Sequence, residues 1–99
     1  MARFVRSPGV IVRRIAGEVV LVPIATRTED SQTRSANFYV LNESAEMLWA
    51  LLEFPADSEN LAQQLLAHYE IGPDQARMDV ERFLSDLGRF GAVIMMESA

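Results

Sequence analysis

The chain has no cysteine and a single histidine, His68, among its 99 residues. The first absence excludes disulfides, thiol catalysis and thiolate metal sites, and fits a reducing compartment. The second removes the imidazole clusters on which most metal centres depend. Lysine is missing as well, so all nine basic residues are arginines. No apolar run approaches the roughly 20 residues needed to span a bilayer. Met1 to Pro8 is too polar for a secretory signal. These absences describe a soluble cytoplasmic chain with no membrane partner. What remains is 49% hydrophobic and 23% charged, too apolar for a disordered chain. The length suits one domain over residues 1–99, and a cut near residue 36 would leave two fragments too small to bury a core.

Charge is unevenly distributed. Residues 1–36 carry six arginines against three acids, a net +3, whereas residues 37–99 carry three arginines against eleven acids, a net −8. Such polarity can steer a partner toward one face, and it argues against the second half lying along a phosphate backbone.

The two halves also differ in period. Val10 to Ile15 and Val19 to Ile24 are rich in β-branched residues and are separated by Ala16, Gly17 and Glu18, which predicts an antiparallel hairpin. Pro23 lacks a donor and belongs near a strand end. Ala25 to Ala36 is polar and reads as a mobile loop leading to a short third strand, Phe38 to Leu41. Alternation sets Phe38 and Val40 on one face of that strand and Tyr39 and Leu41 on the other. Beyond it the spacing becomes helical. Asn42 caps a helix to about Glu53 that carries Ala45, Leu48, Trp49 and Leu52. Asp57 or Ser58 caps a second to about Glu70, with Leu61, Leu65, Leu66 and Tyr69. Gly72-Pro73 opens a third with Ala76, Val80, Phe83, Leu84 and Leu87 in one stripe, and Gly88 and Gly91 offer exits. Ala92 to Met96 can add a short terminal strand or wing. The fold class is α+β: an N-terminal three-stranded antiparallel sheet followed by three packed helices that cover one of its faces.

Chemistry has few candidates. His68 has no second histidine, and its i+4 position is Gly72, so it reads as a boundary residue over the core edge rather than a ligand or base. The Glu43/Glu46 and Glu70/Asp74 pairs are the acids that helix starts and solvated faces normally carry. Asp57-Ser58 before an amphipathic helix is the context of a phosphopantetheine-bearing serine, but a carrier protein is all-helical and the hairpin contradicts that. With no phosphate loop, nucleophile elbow or cofactor cradle, neither an enzyme nor a cofactor is expected. Trp49 is a core anchor. Tyr39 stands on a strand that, if it is an edge, can accept an extended peptide as an added strand.

The ordered set Gly9-Val10-Ile11-Val12-Arg13-Arg14-Ile15-Ala16-Gly17-Glu18-Val19-Val20-Leu21-Val22, then Leu41-Asn42 with Ala45 and Trp49, then Leu61, Leu65, Tyr69, and Asp79 to Leu87 followed by Gly91 carries a resemblance. The sequence resembles the pyrroloquinoline quinone biosynthesis protein D family, peptide-recognition domains of ribosomally made, modified peptides. The resemblance implies a winged-helix-like fold that binds the leader of a precursor peptide and presents it to a modifying enzyme, often a radical S-adenosylmethionine enzyme. The leader would add beside the third strand and lie against the third helix. Carried onto this chain, the wall is Phe38, Tyr39, Val40 and Leu41, facing Arg77, Val80, Glu81 and Leu84. Whether the Arg77/Glu81 flank or the Asp79/Phe90 flank of the third helix borders the groove is open. Two departures stand out: Glu53-Phe54-Pro55-Ala56-Asp57 replaces the family's acidic-glycine ending of the first helix, and the Ala25 to Ala36 stretch is longer than usual.

The competing reading is a winged-helix nucleic-acid or transcription-associated domain, with Arg13 and Arg14 as phosphate contacts. It is disfavoured because the third helix mixes Arg77, Arg82 and Arg89 with Asp74, Asp79, Glu81 and Asp86. A structural subunit with no separate ligand is a third reading, and self-association is left open.

Overall fold

The computed structural model describes residues 2–24 and 38–97, so the expected loop from Ala25 to Ala36 lies outside the described residues. The hairpin joins β2 (Val10–Ile15) to β3 (Glu18–Pro23). Its closing pair is Ile15 opposite Glu18. The turn is therefore Ala16-Gly17 alone, and Glu18 belongs to the strand rather than to the turn expected for it. Both turn residues have positive φ, 52° and 85°. That conformation matches the right-handed twist of the flanking strands, and it asks glycine's freedom of an alanine. Pro23 pairs with Val10 at the end of the ladder, where a missing donor costs least.

β4 (Tyr39–Leu41) pairs with the other side of β3, giving an antiparallel sheet in the order β2-β3-β4. Leu21 faces Tyr39 and Val19 faces Leu41 across this pair.

Three helices follow, each with an identifiable start. α1 (Glu43–Leu51) is capped by Asn42, whose Oδ1 accepts from the Ala45 N–H at 2.9 Å. It stops before Glu53, where the Leu52 N–H is shared between the Leu48 and Trp49 carbonyls. α2 (Ser58–His68) is capped by Asp57, which accepts from the Asn60 N–H at 2.7 Å. It ends two residues before Glu70 because Tyr69 is extended. α3 (Pro73–Phe90) has proline in its first turn and passes straight through Gly88. Its exit is Gly91, in the left-handed region at φ 95°; the Gly91 and Ala92 N–H groups both donate to the Leu87 carbonyl.

The hairpin-first reading leaves out one strand. β1 (Ala2–Arg6) pairs antiparallel with β5 (Val93–Glu97), which occupies the place expected for a terminal strand. β1 also ties the chain start to the end of α1. Phe4 and Ala56 exchange backbone hydrogen bonds of 2.7 and 3.0 Å. Arg6 donates through Nε to the Trp49 carbonyl at 3.0 Å, and its guanidinium carbon lies 4.8 Å from the centroid of the Trp49 ring.

One apolar cluster joins the two halves of the chain. It includes Val19, Leu21 and Leu41 from the sheet, Leu48, Trp49 and Leu52 from α1 and the residue after it, Leu61 and Leu65 from α2, and Val80, Phe83 and Leu87 from α3. His68 lies outside this cluster. It is exposed, with Nδ1 3.0 Å from the Gln64 carbonyl oxygen, so the last turn of its own helix holds it rather than the core edge. Among the described residues no helix is long and apolar enough to cross a membrane.

Candidate functional site

β4 has a neighbour on one side only. Among the described residues its second edge carries no strand, so backbone donors and acceptors there are open to an added one. The strand's two faces differ as alternation requires: Leu41 is 2% exposed and Tyr39 half-buried, while Phe38 and Val40 are 54% and 43% exposed.

Beside β4 lies a depression of about 240 Å³ bounded by Tyr39, the start of α1 and one flank of α3. Buried side chains of Leu48, Leu65 and Phe83 form its apolar floor; Asp79, Arg82 and Asp86 stand at its rim. The Tyr39 ring packs at 59° against Phe90, with centroids 5.7 Å apart, which fixes one end of the depression. Burial raises the pKa of the Tyr39 hydroxyl above its ordinary value; the neighbouring Asp86 carboxylate pushes it the same way, by its charge and as a hydrogen-bond acceptor.

Of the eight residues expected to form the wall, the structure brings Phe38, Tyr39, Val40 and Leu41 together at the open edge. The four from α3 divide. Val80 and Leu84 are 0% and 7% exposed and belong to the core. Arg77 and Glu81 line a separate depression between α2 and α3, with Ser58, Leu66 and Pro73. The physical reason is helical period: at about 100° per residue, positions 79, 82, 83, 86 and 90 share one side of α3, and 77 and 81 fall nearly opposite position 79. The flank beside β4 is therefore the Asp79/Phe90 one. Arg82, Phe83 and Asp86 line this depression without being among the eight expected wall residues, although helical period places them on the same side as Asp79 and Phe90.

The rim's charges are partly paired. Arg89 Nη2 donates to Asp86 Oδ1 at 3.1 Å, and Gln75 Nε2 donates to Asp79 Oδ1 at 2.7 Å. On the other flank Arg77 reaches Asp74 at 3.5 Å. Arg77 and Arg89 are thus each paired with an acid of their own helix, which leaves Arg82 as the one arginine of α3 without an ion pair among the described residues. Among the described residues no group of three or more His, Cys, Asp or Glu side chains could hold a metal ion.

A short antiparallel sheet with an open edge, set against three helices, defines a winged-helix-like α+β fold. The chain belongs to the Coenzyme PQQ synthesis protein D (PqqD) family, whose model matches residues 18–93, from the start of β3 to the start of β5. Two solved structures share the fold. One is described as lasso peptide synthetase B1 complexed with the leader peptide. It has a TM-score of 0.71 and 22% identity, over 92% of this chain and 96% of that one. The other, TbiB1 in complex with the TbiA(beta) leader peptide, has a TM-score of 0.69 and 21% identity, over 90% of this chain and 93% of that one. No curated protein sequence matches the chain.

Proposed function

We propose that this protein is a non-catalytic peptide-binding module. It takes the leader of a ribosomally made precursor as an added strand on β4 and presents the precursor to a modifying enzyme. The observation that carries this reading is the open β4 edge beside an apolar-floored depression walled by α3. Strand addition draws affinity from main-chain hydrogen bonds and specificity from pockets that receive alternate side chains, and both elements are available here. Membership of the PqqD family supports it, as do the leader peptides bound by the two proteins of like fold. On this reading the peptide meets Phe38 to Leu41 on one side and Asp79, Arg82, Phe83 and Asp86 on the other, and residues 1–99 act as one domain. Because Val80 and Leu84 lie beneath the surface, they shape the wall without touching the peptide. A radical S-adenosylmethionine enzyme is the first modifying partner to test.

The test is a titration of isotopically labelled protein with the leader segment of a short precursor encoded beside its gene. Amide shifts should concentrate in Tyr39–Leu41 and along 79–86. Shifts confined to α2, or saturable affinity for a duplex in place of the peptide, would overturn the proposal.

A further inference from the structure

We propose that Arg82 is the specificity-determining residue of this groove, and that the peptide it accepts carries a carboxylate next to an apolar anchor on the same face. The inference rests on the reading of the β4 groove as a peptide site and names the chemistry of its occupant.

Arg82 sits three residues after Asp79 and four before Asp86, spacings at which helix-surface ion pairs form. Neither pair is made. Asp86 is held by Arg89 and lies beside Tyr39, and Asp79 accepts from Gln75. The other two arginines of α3 each have a carboxylate of their own helix, at 3.5 and 3.1 Å. Among the described residues Arg82 alone of the three has no ion pair, and it borders the groove. A guanidinium presents several donors in a planar fork that matches a carboxylate, so an arginine left unpaired at a binding groove is pre-set for an acidic ligand group.

The rim also carries two acids, which would favour a basic peptide, but they differ from Arg82 in being engaged already. Asp86 has a cation at hydrogen-bond distance, and one Asp79 oxygen has the Gln75 amide. Arg82 and Phe83 are adjacent on α3, so its charge stands next to the apolar floor. An added strand sets every second side chain on one face, about 6.7 Å apart, so neighbouring subsites along the groove are filled by residues two positions apart. The acid therefore falls at the second residue before or after the apolar anchor.

The experiment pans a display library of short random peptides against the full-length protein, and against Arg82→Gln and Arg82→Glu variants shown by circular dichroism to remain folded. Wild-type protein should enrich peptides with Asp or Glu two positions from an apolar residue. Arg82→Gln should weaken a selected peptide by about fivefold to tenfold, the size expected of a charge pair at a partly covered site. Arg82→Glu should exchange the acid for Lys or Arg at the same position. Selected peptides that shift the Tyr39–Leu41 amides but show no acidic position, or that lose less than about twofold on Arg82→Gln, overturn the role of Arg82 and leave the groove intact. Peptides that shift only β2 or α2, or a library that yields no binder, overturn the groove reading and the inference with it.

Discussion

The three-stranded sheet has two outer edges, and they are built differently. On β2 every residue from Ile11 to Ile15 is exposed, and Arg13 and Arg14 stand side by side in the strand. Adjacent charges on an edge strand discourage pairing with another chain. On β4 the three residues are uncharged, the face bearing Tyr39 and Leu41 rests on the core, and a flank of α3 rises alongside. A free edge alone is thus a weak argument for recognition, since this sheet has two. What distinguishes β4 is that backbone donors, an apolar floor and charged side chains meet in one place.

The change with the largest expected effect removes what supports both edges. Trp49 is 5% exposed within the shared core and lies under the Arg6 guanidinium. Trp49→Ala should cost about 3–5 kcal/mol in denaturant unfolding, a large part of a small domain's stability. A loss below about 1 kcal/mol accompanied by abolished peptide binding would move Trp49 from the core to the binding surface.

Next in size is the contrast between the edges themselves. Residues 19 and 21 of β3 turn their hydrogen-bonding groups to Leu41 and Tyr39, so within β4 it is Val40 that turns its own to the open edge. Val40→Pro removes that donor, so leader affinity should fall by about tenfold or more, whereas Val40→Ile should be mild. The double change Arg13→Ala, Arg14→Ala on β2 should leave affinity within about twofold, as expected of surface residues away from a site. Calorimetry on variants shown to be folded decides the matter. Equal losses at both edges, or a folded Val40→Pro protein with normal affinity, would erase the distinction.

Sequence reasoning reaches much of this architecture because the signals are local. Asn42, Asp57 and the Gly72-Pro73 step mark helix starts within their own turns, and Gly91 marks an exit through its left-handed backbone. β1 escapes that logic: its five residues include two arginines and its strand partner is about 90 positions away in sequence, a pairing that no local periodicity reports. The site shows the same divide. Alternation assigns Tyr39 and Leu41 to one face and Phe38 and Val40 to the other, as the burial shows. Choosing between the flanks of α3 required knowing on which side β4 packs, which is tertiary information. Residues 77 and 81 are as polar and as exposed as 79 and 82, so composition could not separate them.

A smaller effect belongs to the hairpin that supports β4 from across the sheet. Ala16 holds φ 52° in a turn whose two positions both need positive φ, and asparagine tolerates that region better than alanine. Ala16→Asn should stabilise the protein by about 0.5–1 kcal/mol in thermal or denaturant unfolding. Because the turn lies at the far end of the hairpin from the Leu21–Tyr39 pair, leader affinity should not change. A destabilised variant would show that this turn is held by something other than its own backbone preference.

The smallest expected effect is a titration that marks the walled edge. Tyr39 is half-buried between β4 and α3, and its hydroxyl pKa is raised first by that burial and then by Asp86. The folded state therefore holds the phenolic proton more tightly than the unfolded chain. The resulting stabilisation is complete below the ordinary value of 10.0 and is lost as pH rises from there through the folded pKa. Labelling the tyrosine ring carbon that bears the hydroxyl, with Tyr39→Phe to assign the resonance, should give a Tyr39 midpoint above 10.0. Asp86→Asn should lower that midpoint without returning it fully, because the leading cause is burial and only the charge is removed. Leader bound along β4 should cover the ring further and raise the midpoint again, while the Arg13→Ala, Arg14→Ala change on the opposite edge should leave it where it was. A midpoint at or below 10.0 in the free protein, or one that ignores Asp86→Asn, would mean that Tyr39 is not enclosed by the α3 wall.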